Sequence, residues 1–282
     1  MNLEQYARAK QSILRRMIAA LIFPFRQFLT PFMTRRSWTQ LMSVTYVIVK
    51  RYRDEATELA RQFYDDNRAE QLPEAPRHDI FKDDHFPRQW MQETLEPTFR
   101  EFERTNNVDT AIEDLSQRVI KVVEDGARRT IIQGVASDTS QKIRGWARFD
   151  PRPPTCAFCT MLISRGPVYH SRETAGITEV SQEKLERTIL DGTQDDIDEL
   201  LNRWHPGCTC IAVPVYKLEG YQTEAQEDAA WDIYDRGRKN AEKIARRDNV
   251  KLTTRLILNE MRKLIYKPQT EQDETTLPRN VA

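Results

Sequence analysis

The chain is short of glycine, with nine in 282 residues. Tight turns and phosphate loops draw on glycine, so this scarcity argues against a sheet-rich or nucleotide-binding fold. The specific loops are missing too: there is no Gly-x-x-x-x-Gly-Lys, no Gly-x-Gly-x-x-Gly, no His-Glu-x-x-His and no Gly-x-Ser-x-Gly. Long apolar runs are also lacking. The most apolar stretch, Met17 to Met33, is broken by Pro24, Arg26 and Pro31, which excludes a helical membrane span. Met1-Asn2-Leu3-Glu4 lacks the basic start and apolar run of a secretory signal, so synthesis in the cytoplasm is expected. Cysteine is confined to two close pairs, which in a cytoplasmic protein reads as a metal site before it reads as disulfides.

What is present is charge, unevenly spread. Charged residues are 30% and apolar residues 39% of the chain, a polar composition that still supplies a core. Net charge is zero, yet residues 1–53 hold ten Lys or Arg against Glu4 alone. Residues 54–125 are acidic, and 235–267 are basic again. A basic segment is either a solvated or internally paired face, or a contact for DNA or an acidic protein.

Periodicity organises the rest. Leu3, Tyr6, Ile13, Leu14, Met17, Ile18 and Leu21 predict an amphipathic helix over 3–22, with arginines opposite. A long helix is expected over 37–67, with Leu41, Val44, Thr45, Ile48, Tyr52, Leu59 and Phe63 as its stripe. Residues 68–87, with Pro73, Pro76 and Pro87, read as a linker. Helices follow over 88–104, with a break possible at Pro97, and over about 109–135, with Asp109 as N-cap. A short helix is expected at 141–147. The one clear strand is Ile211 to Tyr216. An acidic helical insert covers 181–202, two more helices span 224–247 and 252–266, and the polar tail 268–282 reads as disordered. Trp38, Trp90, Trp146, Trp204 and Trp231 are spaced as core anchors. His78 and His85, in the proline-rich arm, read as solvated. His170 beside Ser171 is not a catalytic pair, because sequence neighbours rarely face each other as nucleophile and base. The organisation is a basic N-terminal segment (1–35), a helical region (36–147), a Cys/His module (148–216), C-terminal helices (217–267) and a tail (268–282).

The chemistry sits in Cys156-x-x-Cys159 and, about 45 residues on, His205-x-x-Cys208-x-Cys210. Zinc takes four N or S ligands in a tetrahedron. A two-residue gap wraps the chain round a metal, and residues two apart in a strand share a face, so both pairs can converge. Five candidates compete for four places. Cys156, Cys159 and Cys208 are the firm members; the symmetry of two x-x gaps puts His205 ahead of Cys210 as the fourth. The set is over-complete and rich in thiols, which favours a closed structural Zn2+ over a catalytic one with an open position. A thioredoxin-like motif would need a βαβ setting that the sequence does not display. A deaminase would need His-x-Glu, which is absent.

Three runs carry a family likeness: Gly145-Trp146-Ala147-Arg148, then Cys156-Ala157-Phe158-Cys159 through Val168-Tyr169, then Trp204-His205-Pro206-Gly207-Cys208-Thr209-Cys210. Together with Ala60 to Arg68 upstream, they resemble the Mu F-like minor capsid proteins of tailed bacteriophages, especially those of actinobacteria. The resemblance spans about 60–216. It implies a head-morphogenesis protein, assembled in the host cytoplasm with the portal and other head proteins and carried in the virion, in the capsid interior or portal region. Some relatives carry fused toxin or protease domains, and too few residues follow 216 for either.

The reading is therefore a mainly α-helical, non-enzymatic structural protein with a small zinc-stapled module containing one or two short strands. It meets other head proteins, with packaged DNA as a further contact for its basic segments, and no membrane. Two rivals differ in kind: a capsid maturation protease, which needs a Ser or Cys beside a histidine, and a nucleic-acid-binding zinc module.

Overall fold

The computed structural model describes residues 1–79, 86–140, 142–167 and 207–266. Helices dominate them. The acidic insert at 181–202, Trp204, His85, His170, His205 and the tail at 268–282 lie outside the described residues.

Helix α1 (Leu3–Phe28) opens with a capping box: Asn2 accepts from the Gln5 N–H and Gln5 accepts from the Asn2 N–H. It does not stop before Pro24 as the sequence suggests. Proline in a helix costs about 3 kcal/mol. Phe25 and Leu29 continue the buried stripe of Met17 and Leu21, and fully burying each contributes about 1.5–3 kcal/mol, enough to carry the helix through. Helix α2 (Arg35–Gln71), capped by Thr34, runs back along α1 and absorbs four residues expected to be linker. The stack of Tyr6 on Phe63 (4.3 Å) and the Arg16–Glu55 ion pair fix the antiparallel register.

Helix α3 (Arg88–Thr105) passes through Pro97 unbroken and ends on Asn106 in the left-handed region. Helix α4 (Val108–Ser137) is capped by Asn107, whose side chain accepts from the Thr110 N–H; Asp109 falls in the first turn instead of at the cap. Helices α1, α2 and α3 all pack on α4. Gly126 is what lets α2 come close: a Cβ there would sit 2.9 Å from Arg53 Cγ and 3.0 Å from Thr57 Oγ1.

The expected short helix at 141–147 is instead strand β1 (Gly145–Phe149). It pairs antiparallel with β2 (Ile211–Val215), Gly145 opposite Val215 and Phe149 opposite Ile211. Trp146, Ala147 and Arg148 are buried alike, so tertiary pairing with a fully buried partner overrides local preference. Of the tryptophans, Trp38 and Trp146 are core residues, whereas Trp90 and Trp231 are 39% and 48% exposed and anchor nothing central.

Helix α5 (Ala157–Ile163) connects two clusters. Cys159 and Ile163 join the main core; Ala157, Met161 and Leu162 pack with Tyr234, Ala241, Ile257 and Met261 of α6 (Glu224–Arg247) and α7 (Thr254–Ile265). No helix among the described residues is long and apolar enough to cross a membrane.

Much of the basic N-terminal charge is paired internally. Lys10 meets Glu124, Arg16 meets Glu55, Arg35 meets Glu96 and Lys50 meets Asp54. Arg8, Arg15, Arg26 and Arg36 are exposed and enter no ion pair among the described residues.

Candidate metal centre

Cys156 is the N-cap of α5, and its Sγ accepts from the Cys159 N–H at 3.4 Å. The Cys-x-x-Cys spacing therefore works as one tight helical turn that carries Cys159 inward. The second pair arrives on the approach to β2. Gly207 has φ +77°, a conformation open to glycine, and turns the chain into Cys208. Thr209 points the other way, donating to Asp150 Oδ1 at 2.8 Å, so Cys208 and Cys210 share a side, as residues two apart in an extended segment should.

The sulfurs of Cys159, Cys208 and Cys210 all lie within 4.8 Å of one another and are buried. Cys159 Sγ and Cys208 Sγ are 3.6 Å apart, and all four cysteines are free thiols. A disulfide needs about 2.05 Å. A tetrahedral zinc with Zn–S of about 2.3 Å sets its sulfurs about 3.8 Å apart, close to the observed spacing. The donor set thus fits a thiophilic ion. Cys156 also acts on the Cys159 thiol and is half-buried. Cys210, placed behind His205 by sequence symmetry, sits inside the cluster.

The cluster polarises its own members. Hydrogen bonds from Cys159 and Cys210, helped by the charge of Arg128, hold the Cys208 thiol well below the usual thiol range. Cys159, which contacts the sulfurs of Cys156, Cys208 and Cys210, is pushed up. The thiols are thus held close enough to perturb one another, and it is the thiolate form of such a group that ligates a metal.

Behind the sulfurs lies a buried charged group that the sequence reading missed. Arg128 on α4 is 2% exposed and donates to the Cys210 carbonyl through Nε (3.0 Å), to the Cys208 carbonyl through Nη2 (2.9 Å) and to Asp125 (3.1 Å). It also pairs with Glu124, which takes Lys10 of α1 at 3.1 Å. Burial opposes the Arg128 charge, and Glu124, Cys208 and Asp125 more than offset it, so its pKa is raised. Burial pulls Lys10 down, with Glu124 pulling back. Arg148 of β1 is buried beside the same cysteines, and burial lowers its pKa to about 10. The available signal was Glu124 and Arg128, four apart, standing within an otherwise apolar stripe of Val119, Val123, Ala127 and Ile131. His78 is not a member of this cluster and is bonded to Ser137 Oγ at 3.0 Å.

The model of the family described as "VG15 protein" matches residues 2–237, including α1, α4, α5, β2 and all four cysteines. The chain belongs to the VG15 family. Among its relatives is the "Gene 15 protein" of Mycobacterium phage D29, 30% identical over 258 residues, covering 89% of this chain and 94% of the relative. Another is the "Gene 15 protein" of Mycobacterium phage L5, 31% identical over 236 residues, covering 78% of this chain and 80% of the relative. No solved structure matches. This VG15 protein is thus a phage protein by family. The narrower Mu F-like assignment expected from the cysteine motifs is a finer statement than family membership makes.

Proposed function

We propose that this VG15 protein is a structural, non-enzymatic component of the phage head: a minor capsid or portal-associated head-morphogenesis protein of the Mu F-like kind. It holds one structural Zn2+ through Cys159, Cys208 and Cys210, with Cys156 as the fourth ligand and His205 as the competing one. The observation that carries the metal reading is the buried three-thiol cluster, its sulfurs all within 4.8 Å of one another and two of them 3.6 Å apart. The head-protein role is supported by the likeness of the Gly145–Arg148, Cys156–Tyr169 and Trp204–Cys210 runs to Mu F-like proteins, in a chain whose relatives are phage gene products.

The chemistry agrees with a staple. The zinc joins segments far apart in sequence, where α4, α5 and the approach to β2 meet. Partners are the portal and other head proteins. The exposed Arg8, Arg15, Arg26 and Arg36 offer contacts to an acidic neighbour, packaged DNA included.

Two measurements test the proposal. Mass spectrometry of purified virions and empty proheads should find the chain in both at low copy. Elemental analysis of protein prepared without chelator should find about one zinc per chain. Absence from both particle types rules out the head role, and metal-free native protein rules out the zinc.

A further inference from the structure

The Cys208–Cys210 segment is gripped from two sides. Thr209 is tied to Asp150 on one side. On the other, a single buried guanidinium spans the carbonyls of both cysteines. That guanidinium is itself fixed by Glu124, and Glu124 by Lys10. An unbroken polar chain therefore runs from α1 through α4 to the backbone of two proposed ligands.

We propose that Arg128 is the positioning residue of the metal centre, presenting the Cys208 and Cys210 sulfurs to the ion, and that Lys10 extends this control to α1. The inference rests on the zinc reading above. Its basis is geometric. A sulfur swings with its backbone, and the backbone here is oriented by donors at both carbonyls. A planar guanidinium can reach two acceptors at fixed angles while keeping a carboxylate; an ammonium on a flexible stem holds no such fork. Groups behind metal ligands that fix their orientation typically contribute a factor of about 10–100 to affinity. Coupling is reciprocal: if Lys10 and Arg128 tighten metal binding, the metal tightens the seat of α1 against α4 to the same degree. A role limited to filling core volume makes a different prediction, since it lowers the stability of loaded and metal-free protein alike and leaves metal affinity unchanged.

The test uses the full chain with Zn2+ and Co2+ as probes. Zinc affinity is measured by competition with a chromophoric chelator, and the cobalt ligand-field spectrum is recorded, for the wild type, Arg128→Lys, Arg128→Met and Lys10→Met. The expected result is affinity about 10–100-fold weaker in Arg128→Met, only partly restored in Arg128→Lys, and several-fold weaker in Lys10→Met. The cobalt bands should shift in both Arg128 variants as the sulfur tetrahedron distorts. A folded Arg128→Lys protein with wild-type zinc affinity and cobalt spectrum overturns the inference. Should neither Arg128 variant fold, Lys10→Met decides, and unchanged affinity there overturns the coupling. Wild-type protein that binds neither ion refutes the zinc reading and this inference together, whereas tight wild-type binding with unaltered variants refutes the inference alone.

Discussion

If the proposed zinc is bound, stripping it should cost this protein a definite amount of stability, and the structure sets the scale. The thiols of Cys159 and Cys208 are 49 residues apart in sequence and 3.6 Å apart in space. A cross-link closing a loop of that length removes about 4 kcal/mol of denatured-state entropy at 25 °C in the chain-entropy account, whatever atom makes the link. For a chain of this size that corresponds to a fall in Tm on the order of 10 °C. The loss should reach beyond the site, because Cys159, Cys208 and Cys210 are buried in the same apolar core as α1–α4. The assay is paired calorimetry of zinc-loaded and chelator-treated protein, with metal content measured in each sample and far-ultraviolet circular dichroism recorded before heating. The loaded sample should melt later, and zinc returned to the stripped sample should restore the difference. If protein confirmed to have lost stoichiometric zinc melts at the same temperature as loaded protein, the reasoning from loop closure is wrong.

Other outcomes follow from single contacts. Cys210→Ser should abolish stoichiometric zinc while His205→Ala retains it, as elemental analysis of both purified variants will determine; the reverse pattern restores the choice suggested by sequence spacing. Burial, then the nearby Asp228 charge, raises the Glu227 carboxyl to about 7. A raised acid favours the fold while protonated, so stability should fall as pH climbs from about 4.5 through about 7. Glu227→Gln should flatten that window and, because the half-buried carboxyl is partly screened by solvent, gain only about 1 kcal/mol at pH 8, read by urea melts across pH. Asp138 takes Arg68 at 2.7 Å, Tyr64 at 2.8 Å and the Ser140 N–H at 2.9 Å. Asp138→Ala should cost about 3–5 kcal/mol by leaving a buried guanidinium unpaired, measured by chemical denaturation. In Gly237→Ala the new Cβ would meet Met261 Cγ at 2.6 Å and Met261 backbone at 3.2 Å, so overpacking of about 1–3 kcal/mol competes with a helix gain of about 1 kcal/mol. The net should be a modest loss in thermal stability.

The helices were legible because their stripes repeat at helical spacing, and burial follows the same rows at Met17 and Leu21 on α1, Leu41 and Phe63 on α2, and Leu115 and Val119 on α4, although Val44, read into the α2 stripe, is 39% exposed. Their ends were less so. Pro24 and Pro97 look like breaks, but buried side chains beyond them keep the helix going. Strand β1 was unreadable locally, since Trp146 to Phe149 becomes extended only by pairing with β2, more than 60 residues away. The site divides the same way. Cysteine spacing revealed that Cys159 and Cys208 belong together, whereas the positions of Arg128, Glu124 and Lys10 depend on how three distant segments meet. A charge balance along the chain could not say that Lys10 is spent on Glu124 rather than on a partner.

Helix α5 has seven residues, too few to persist alone, and both of its faces are spoken for. Its shape is therefore set by its neighbours: Cys159 and Ile163 are walled by the main core. On its other side α6 and α7 find the surface against which Tyr234 and Met261 close. One seven-residue helix thus serves two walls at once, so a change in α5 is felt both by Cys159 and by the seat of the C-terminal hairpin.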